Sequence, residues 1–140
     1  KNETKMRTMT ATERAYVAGI IDGEGSIEYV QRNVTRHDRP GKPVHKVWNI
    51  RMEVPQVDGR LIDYLIETTA EGTRDMKRFP NNDKWQDQHR WRVAHRGVYR
   101  VLKQIHKYLI VKGEKSKLVV DHYDKIFSKK VFGKGGFGVR

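Results

Sequence analysis

The sequence predicts an α+β fold in the order α-β-β-α-β-β-α-α, built on antiparallel hairpins. Three observations carry this. Two pairs of short stretches alternate apolar and polar residues, each pair joined by a turn-forming segment. Four other stretches place apolar residues at helical spacing. Cap-forming residues, glycines and prolines fall between them. With 140 residues and 36% hydrophobic content, the chain fits one domain with one modest core.

Residues 1–9 are polar and read as a flexible N-terminal segment. Thr10-Ala11-Thr12-Glu13 has the pattern of a capping box, Thr10 as N-cap and Glu13 reaching back. The first helix therefore runs from Ala11 to about Asp22. After Tyr16 it is apolar nearly all round, so it needs burial on more than one side. Gly23-Glu24-Gly25 stops it, by backbone angles that other residues avoid. Ser26 to Val34 alternates as a strand, with Ile27 and Tyr29 on one face and Glu28, Val30 and Arg32 on the other. His37 to Pro43 is a turn. Val44 to Val54 is the second strand, with Trp48, Ile50, Met52 and Val54 opposite Val47, Asn49, Arg51 and Glu53, and Pro55 ends it.

Asp58 caps a helix from Gly59 to about Ala70, with Leu61, Ile62, Leu65 and Ile66 at helical spacing. Gly72–Phe79 and Gln88–Ala94 form a second hairpin, in which Trp91 and Val93 face away from Arg90 and Arg92. Gly97 to Tyr108 is helical, Gly113 breaks it, and Lys115 to Phe127 is the last helix. Leu118, Val119, His122, Tyr123 and Ile126 point inward from it. The folded domain spans 10–127, and 128–140 is a basic, Gly-rich tail.

The net charge of +12 points to a polyanionic partner. It is uneven. Residues 1–70 hold 11 Lys+Arg against 10 Asp+Glu, and residues 71–140 hold 18 against 7. Composition of this kind suits RNA as well as DNA. No stretch is apolar enough to span a membrane, and the first residues lack a signal-peptide layout. With no cysteine, disulfides and thiolate metal sites are excluded. Gly133 to Gly138 matches G-x-G-x-x-G, but no helix pattern follows it, so no dinucleotide or other organic cofactor is expected.

Val17 to Gly25 reads V-A-G-I-I-D-G-E-G. Ala18 and Gly19 are small enough for two helix backbones to approach closely. The chain holds one copy of this segment, so the approach implies a two-fold homodimer with Ala18, Gly19 and Asp22 at its interface. The alternative is a small-residue face packed on the chain's own helices. Asp22 and Glu24 both lie at the helix C-terminus, where a carboxylate meets an unfavourable dipole that a cation relieves.

The segment resembles the nine-residue signature of the LAGLIDADG homing endonucleases, in their single-motif, homodimeric form. Ala18, Gly19, Ile21, Asp22 and Gly25 match outright. Val17 and Ile20 stand for leucine, Gly23 for alanine and Glu24 for the second aspartate. The resemblance covers residues 10–127 and implies an αββαββα saddle with an antiparallel DNA-binding sheet. It implies an intron-encoded, site-specific double-strand DNA endonuclease using Mg2+ (or Mn2+), in a DNA-containing compartment: a prokaryotic cytoplasm or an organelle. An RNA-binding maturase or splicing cofactor on the same fold is the alternative, and a non-cutting DNA-binding regulator a third. Neither of these two needs an acid at Glu24.

The resemblance also assigns roles. Asp22 satisfies backbone donors, while Glu24 and the Gly23 carbonyl bind metal. Glu53 to Arg60 resembles the family's strand-to-helix segment, with Gln56 positioning water and Arg60 lining the pocket. Tyr108 to Lys112 resembles the segment ending in a catalytic-pocket lysine, a role for which Lys115 and Lys117 compete with Lys112. An eleven-residue strand reaches about 36 Å, roughly one duplex turn, and a two-stranded ribbon fits the major groove. The expected DNA contacts are Glu28, Arg32, Asn49, Arg51, Glu53, Gln88, Arg90 and Arg92. Lys129, Lys130 and Lys134 add phosphate binding.

Overall fold

A computed structural model of the chain describes residues 7–34 and 45–132. The elements are α1 (Ala11–Glu24), β1 (Ser26–Val34), β2 (His45–Gln56), α2 (Gly59–Thr69), β3 (Thr73–Lys77), β4 (Gln88–Ala94), α3 (Arg96–Ile105) and α4 (Gly113–Phe132). The strands form one antiparallel sheet in the order β1-β2-β4-β3. The helices cover one face of it. Ile27, Ile50, Met52, Val54, Trp91 and Val93 point into that layer and are buried. They meet Val17 and Ile21 of α1, Ile62 and Leu65 of α2, Val98 to Ile105 of α3, and Val119 to Tyr123 of α4 in one core. Trp91 is fully buried, and its indole N–H donates to the Glu71 carbonyl at 2.9 Å, so the core's largest side chain is also satisfied. Among the described residues, no helix is long and apolar enough to cross a membrane.

The local signals act as expected at both helix starts. Thr10 and Glu13 form the reciprocal capping box of α1, and the Asp58 carboxylate accepts from the Arg60 N–H to start α2.

Elsewhere the structure differs from the sequence expectations. Residues 7–9 are held rather than loose. Met9 is buried, its N–H donates to Gln104 Oε1 at 2.8 Å, and Arg7 donates to the Thr68 carbonyl. Helix α1 continues through Gly23 to Glu24. Neither Gly23 nor Gly25 has a positive φ. The Gly25 backbone is extended, and a Cβ there would stand 3.0 Å from the Ile21 carbonyl oxygen. Closeness, not left-handed geometry, favours glycine at 25.

Pro55 does not end β2. Pairing with β1 stops at Glu53, and beyond it β2 has β4 as its neighbour, with Pro55 opposite Arg90. A proline is tolerated where a strand has an open edge. The third helix gives way at Ile105 to a 3-10 turn, His106–Tyr108. Gly113 opens α4 rather than breaking the third helix, and α4 runs past Phe127 to Phe132, into the expected tail. Leu118 is half exposed, and Val120 takes its inward place beside Val119 and Tyr123. The turn expected at His37–Pro43 and the glycine-rich segment Gly133–Gly138 lie outside the described residues.

Candidate functional site

The end of α1 is built by its two acids in different ways. The Asp22 carboxylate accepts three backbone N–H groups from the segment preceding α4. These come from Ile110 at 2.7 Å, Val111 at 3.1 Å and Lys112 at 3.0 Å. Burial opposes its ionisation, yet those N–H donors and the nearby Lys112 charge together hold the carboxyl below its ordinary value. The Lys112 ammonium returns the contact, donating to the Asp22 carbonyl at 2.8 Å. A cation thus sits at the negative end of the α1 dipole. Of the competing lysines, Lys117 pairs with Asp121 on its own helix, and Lys115 is exposed.

Glu24, one helix residue beyond Gly23, is exposed, and among the described residues it has no hydrogen-bond or ion-pair partner. Among the described residues no three His, Cys, Asp or Glu side chains gather as a metal site. At this helix end the chain therefore offers one exposed carboxylate, without a partner among the described residues, with helix-terminal carbonyls beside it. That donor set fits a hard cation such as Mg2+, which commonly takes one or two protein carboxylates and completes its shell with water and phosphate.

The outward face of α1 is open. Ala15, Gly19 and Gly23 recur every fourth residue and are exposed, flanked by Tyr16, which is 54% exposed. A Cβ at Gly19 or Gly23 would meet nothing within 4 Å. Ala18, expected at a partner interface, is instead fully buried inside its own chain with Val17 and Ile21. Helical phase explains this, because Ala18 lies one residue, about 100°, from Gly19. Asp22 spends its carboxylate within the chain, as described.

Gln56 and Arg60 are close to this end of the molecule in register. Ser26 lies opposite Glu53, so Glu24 and Gln56 are each within about three residues, or roughly 10 Å of strand, of one paired position. The structure does not join them to Glu24 or Lys112 by hydrogen bonds among the described residues. Instead Gln56 and Arg60 line an open groove of about 640 Å3 with Tyr16, Asp58, Leu61 and Tyr64. The Gln56 side-chain oxygen Oε1 accepts from the Val57 N–H at 2.9 Å, which leaves the side-chain amide N–H groups to offer. Arg60 clamps Asp58 with two N–H groups, at 3.0 Å and 2.6 Å. That clamp, with the Arg60 N–H, lowers the Asp58 carboxyl to about 2. The sequence reading used Asp58 as a helix cap and missed its hold on Arg60, although the i, i+2 acid–base pair was the available signal.

The outer face of the sheet collects all eight strand residues expected there. Paired residues point to the same side, and the pairs Glu28–Arg51, Glu53–Arg92 and Lys77–Gln88 set the face. Asn49, Arg32 and Arg90 follow by alternation. Asp75, which the sequence reading missed, is central to it. Arg90 donates to both its oxygens at 2.8 Å and 3.0 Å, and Arg92 to one at 3.1 Å. Glu53 flanks the same two guanidinium groups at 3.8 Å and 3.5 Å. Hydrogen bonding to Arg90 first, against some burial, holds the Asp75 carboxyl below its ordinary value. The Thr73-Asp75-Lys77 alternation of β3 was the signal that could have found it. A recess of about 240 Å3 opens beside these groups, between Arg51 and Arg92. This face presents donors and acceptors from all four strands, a layout suited to the edges of base pairs.

No protein-family model matches the sequence, and no curated protein matches it. Solved structures match by fold. The homing endonuclease I-CvuI, in complex with its target in the presence of 2 mM Ca, superimposes with a TM-score of 0.62 at 23% identity, over 85% of this chain and 70% of that chain. The archaeal intron-encoded homing endonuclease I-Vdi141I, complexed with DNA, gives 0.60 at 14% identity, over 89% and 75%. The LAGLIDADG homing endonuclease I-SmaMI, bound to cleaved DNA, gives 0.58 at 14% identity, over 88% of this chain and 39% of that one. The chain has the LAGLIDADG homing-endonuclease fold.

Proposed function

We propose that this chain is a site-specific double-strand DNA endonuclease, encoded by a mobile intron, that works as a homodimer with a divalent cation at Glu24. The observation that carries the proposal is the division of labour at the end of α1. Asp22 is committed to three backbone N–H groups, while Glu24 is exposed beside it with no partner among the described residues. A carboxylate exposed at a helix C-terminus is electrostatically unfavourable on its own and favourable against a cation. The bound state of three fold relatives, each solved with DNA, supports the choice of nucleic acid.

The residues divide the chemistry as follows. Glu24 and the Gly23 carbonyl would hold Mg2+ or Mn2+, which when bound supplies charge for an in-line phosphoryl displacement. Lys112, fixed on the Asp22 carbonyl, holds positive charge where negative charge grows on the phosphate. The Gln56 amide can orient a water at the β2 exit. The outer sheet face, with Arg51 and the Arg90–Asp75–Arg92 group, aligns the duplex. The open Ala15-Gly19-Gly23 face of α1 supports a second copy packed against it, which would bring two Glu24 side chains together, one for each strand cut. The 39% coverage of I-SmaMI, a longer chain of the same fold, is consistent with a unit that works in pairs.

Incubating the protein and Mg2+ with duplex DNA spanning the insertion site of its host element tests the proposal. The expected product is a double-strand break at one position. Binding without any cutting, across Mg2+ and Mn2+, rejects the nuclease assignment, and assistance of RNA splicing in its place selects the maturase role.

A further inference from the structure

The tip of the second hairpin carries Phe79, Lys84 and Trp85, used neither by the acidic helix end nor by the outer sheet face, beside Lys77 and Gln88 at the edge of that face. Between β3 and β4, Trp85 stands 60% exposed, in contrast to the fully buried Trp91. Its ring meets Phe79 edge to face, with centroids 5.0 Å apart and planes at 82°. The Lys77 ammonium lies 5.4 Å from the Phe79 centroid. With Lys84 and Gln88, these groups line an open recess of about 540 Å3.

The loop that presents them is pinned from within. The Phe79 N–H donates to Asp87 Oδ1 at 2.9 Å, and the Lys84 N–H to Asn82 Oδ1 at 3.0 Å. The Trp85 N–H donates to the Asn82 carbonyl at 3.3 Å. An indole held out in water by a fixed turn, next to cations, is an arrangement with a binding cost already met.

Position sharpens the point. Gln56 lies opposite His89, and Ser26 opposite Glu53. The Phe79–Trp85 loop therefore leaves the sheet at the end where α1 terminates. In an intact duplex the flat faces of bases are covered by their neighbours. A ring platform gains stacking only from a base that has left the stack.

We propose that Trp85 and Phe79, with Lys77 and Lys84, form a stacking site for an unpaired nucleobase and its flanking phosphates. This rests on the nucleic-acid part of the function proposed above and not on cleavage. The lysines neutralise the backbone, and Gln88 offers hydrogen bonds that tolerate any base. Stacking of one base on an aromatic side chain changes affinity by roughly five- to 150-fold.

The test measures binding of the full chain to four labelled probes: a short oligodeoxyuridylate, the matching oligouridylate, an abasic deoxyribose-phosphate strand of equal length, and a duplex. The expected result is at least about fivefold tighter binding of a base-bearing strand than of the abasic one. Trp85→Ala removes that difference, and Trp85→Phe keeps most of it. Tighter binding of the deoxyuridylate identifies a DNA strand as the source of the base, and tighter binding of the uridylate an RNA strand. Equal affinity for base-bearing and abasic strands, or a difference that survives Trp85→Ala, overturns the stacking site while leaving duplex cleavage in place. Loss of Mg2+-dependent cleavage with stacking intact rejects the nuclease assignment alone.

Discussion

At the scale of single residues, the structure separates two acids that the sequence places two positions apart. The Asp22 carboxylate closes the Ile110–Lys112 segment onto the end of α1, and its pKa is depressed in the fold. A group depressed in this way stabilises the folded state above its unfolded value, near 3.9, and loses that contribution as pH falls through the lower folded value. Replacing Asp22 by Asn should therefore destabilise the protein by about 2 kcal/mol near neutral pH, since hydrogen bonds to a charged acceptor are being lost. Urea titrations of the two proteins should converge as pH falls below the carboxylate range. A gap that stays constant through and below that range would show the carboxylate's charge to be irrelevant.

The roles of this pair were legible only in part. Helix end, small residues and two acids were all visible in Val17–Gly25. The partner of Asp22 lies some ninety residues away, and only the fold brings Ile110–Lys112 to it. Asp58 and Asp75 were harder still, because each is defined by the guanidinium groups around it rather than by its own neighbours in sequence.

At the scale of elements, α1 presents two faces with different tasks. Val17, Ala18 and Ile21 pack inward, and Ala15, Gly19 and Gly23 face out. Gly19→Arg places a long charged side chain where, apart from its own stretch of helix, a Cβ meets no described atom within 4 Å. The melting temperature should stay within a few degrees of wild type, helped by the better helix propensity of arginine. Self-association should be lost, as read by sedimentation at micromolar protein. An arginine variant that still forms dimers would place the partner surface elsewhere.

Element types were readable from periodicity and capping throughout, and so were some boundaries, Ser26–Val34 and Gln88–Ala94 among them, while others were not. Proline at 55 suggested a strand end, but its open edge permits continuation. Gly113 suggested a break, but the N–H groups that Asp22 holds just before it set the start of α4 instead.

At the scale of the whole molecule, the proposed function has one polar sheet face and an excess of positive charge serve the same DNA partner. The charge is tempered on that face, since Asp75 and Glu53 hold Arg90 and Arg92 between them. This arrangement keeps two guanidinium groups oriented while limiting indiscriminate attraction to phosphate. Asp75→Asn should strengthen binding to random-sequence duplex at low salt and steepen the dependence of log K on log salt by about one unit. Preference for the specific site should fall as the arginines lose their fixed orientation. Unchanged salt dependence would mean that this face does not approach DNA.

The central claim is that Glu24 is the acid that serves cleavage. The most direct measurement compares wild type and Glu24→Gln for binding and for Mg2+-dependent cutting of the same target duplex. The substitution keeps shape and removes charge at an exposed position, so the fold and the affinity for DNA should persist, with cleavage reduced by several orders of magnitude. Cutting by the Glu24→Gln protein at the wild-type rate would contradict the claim.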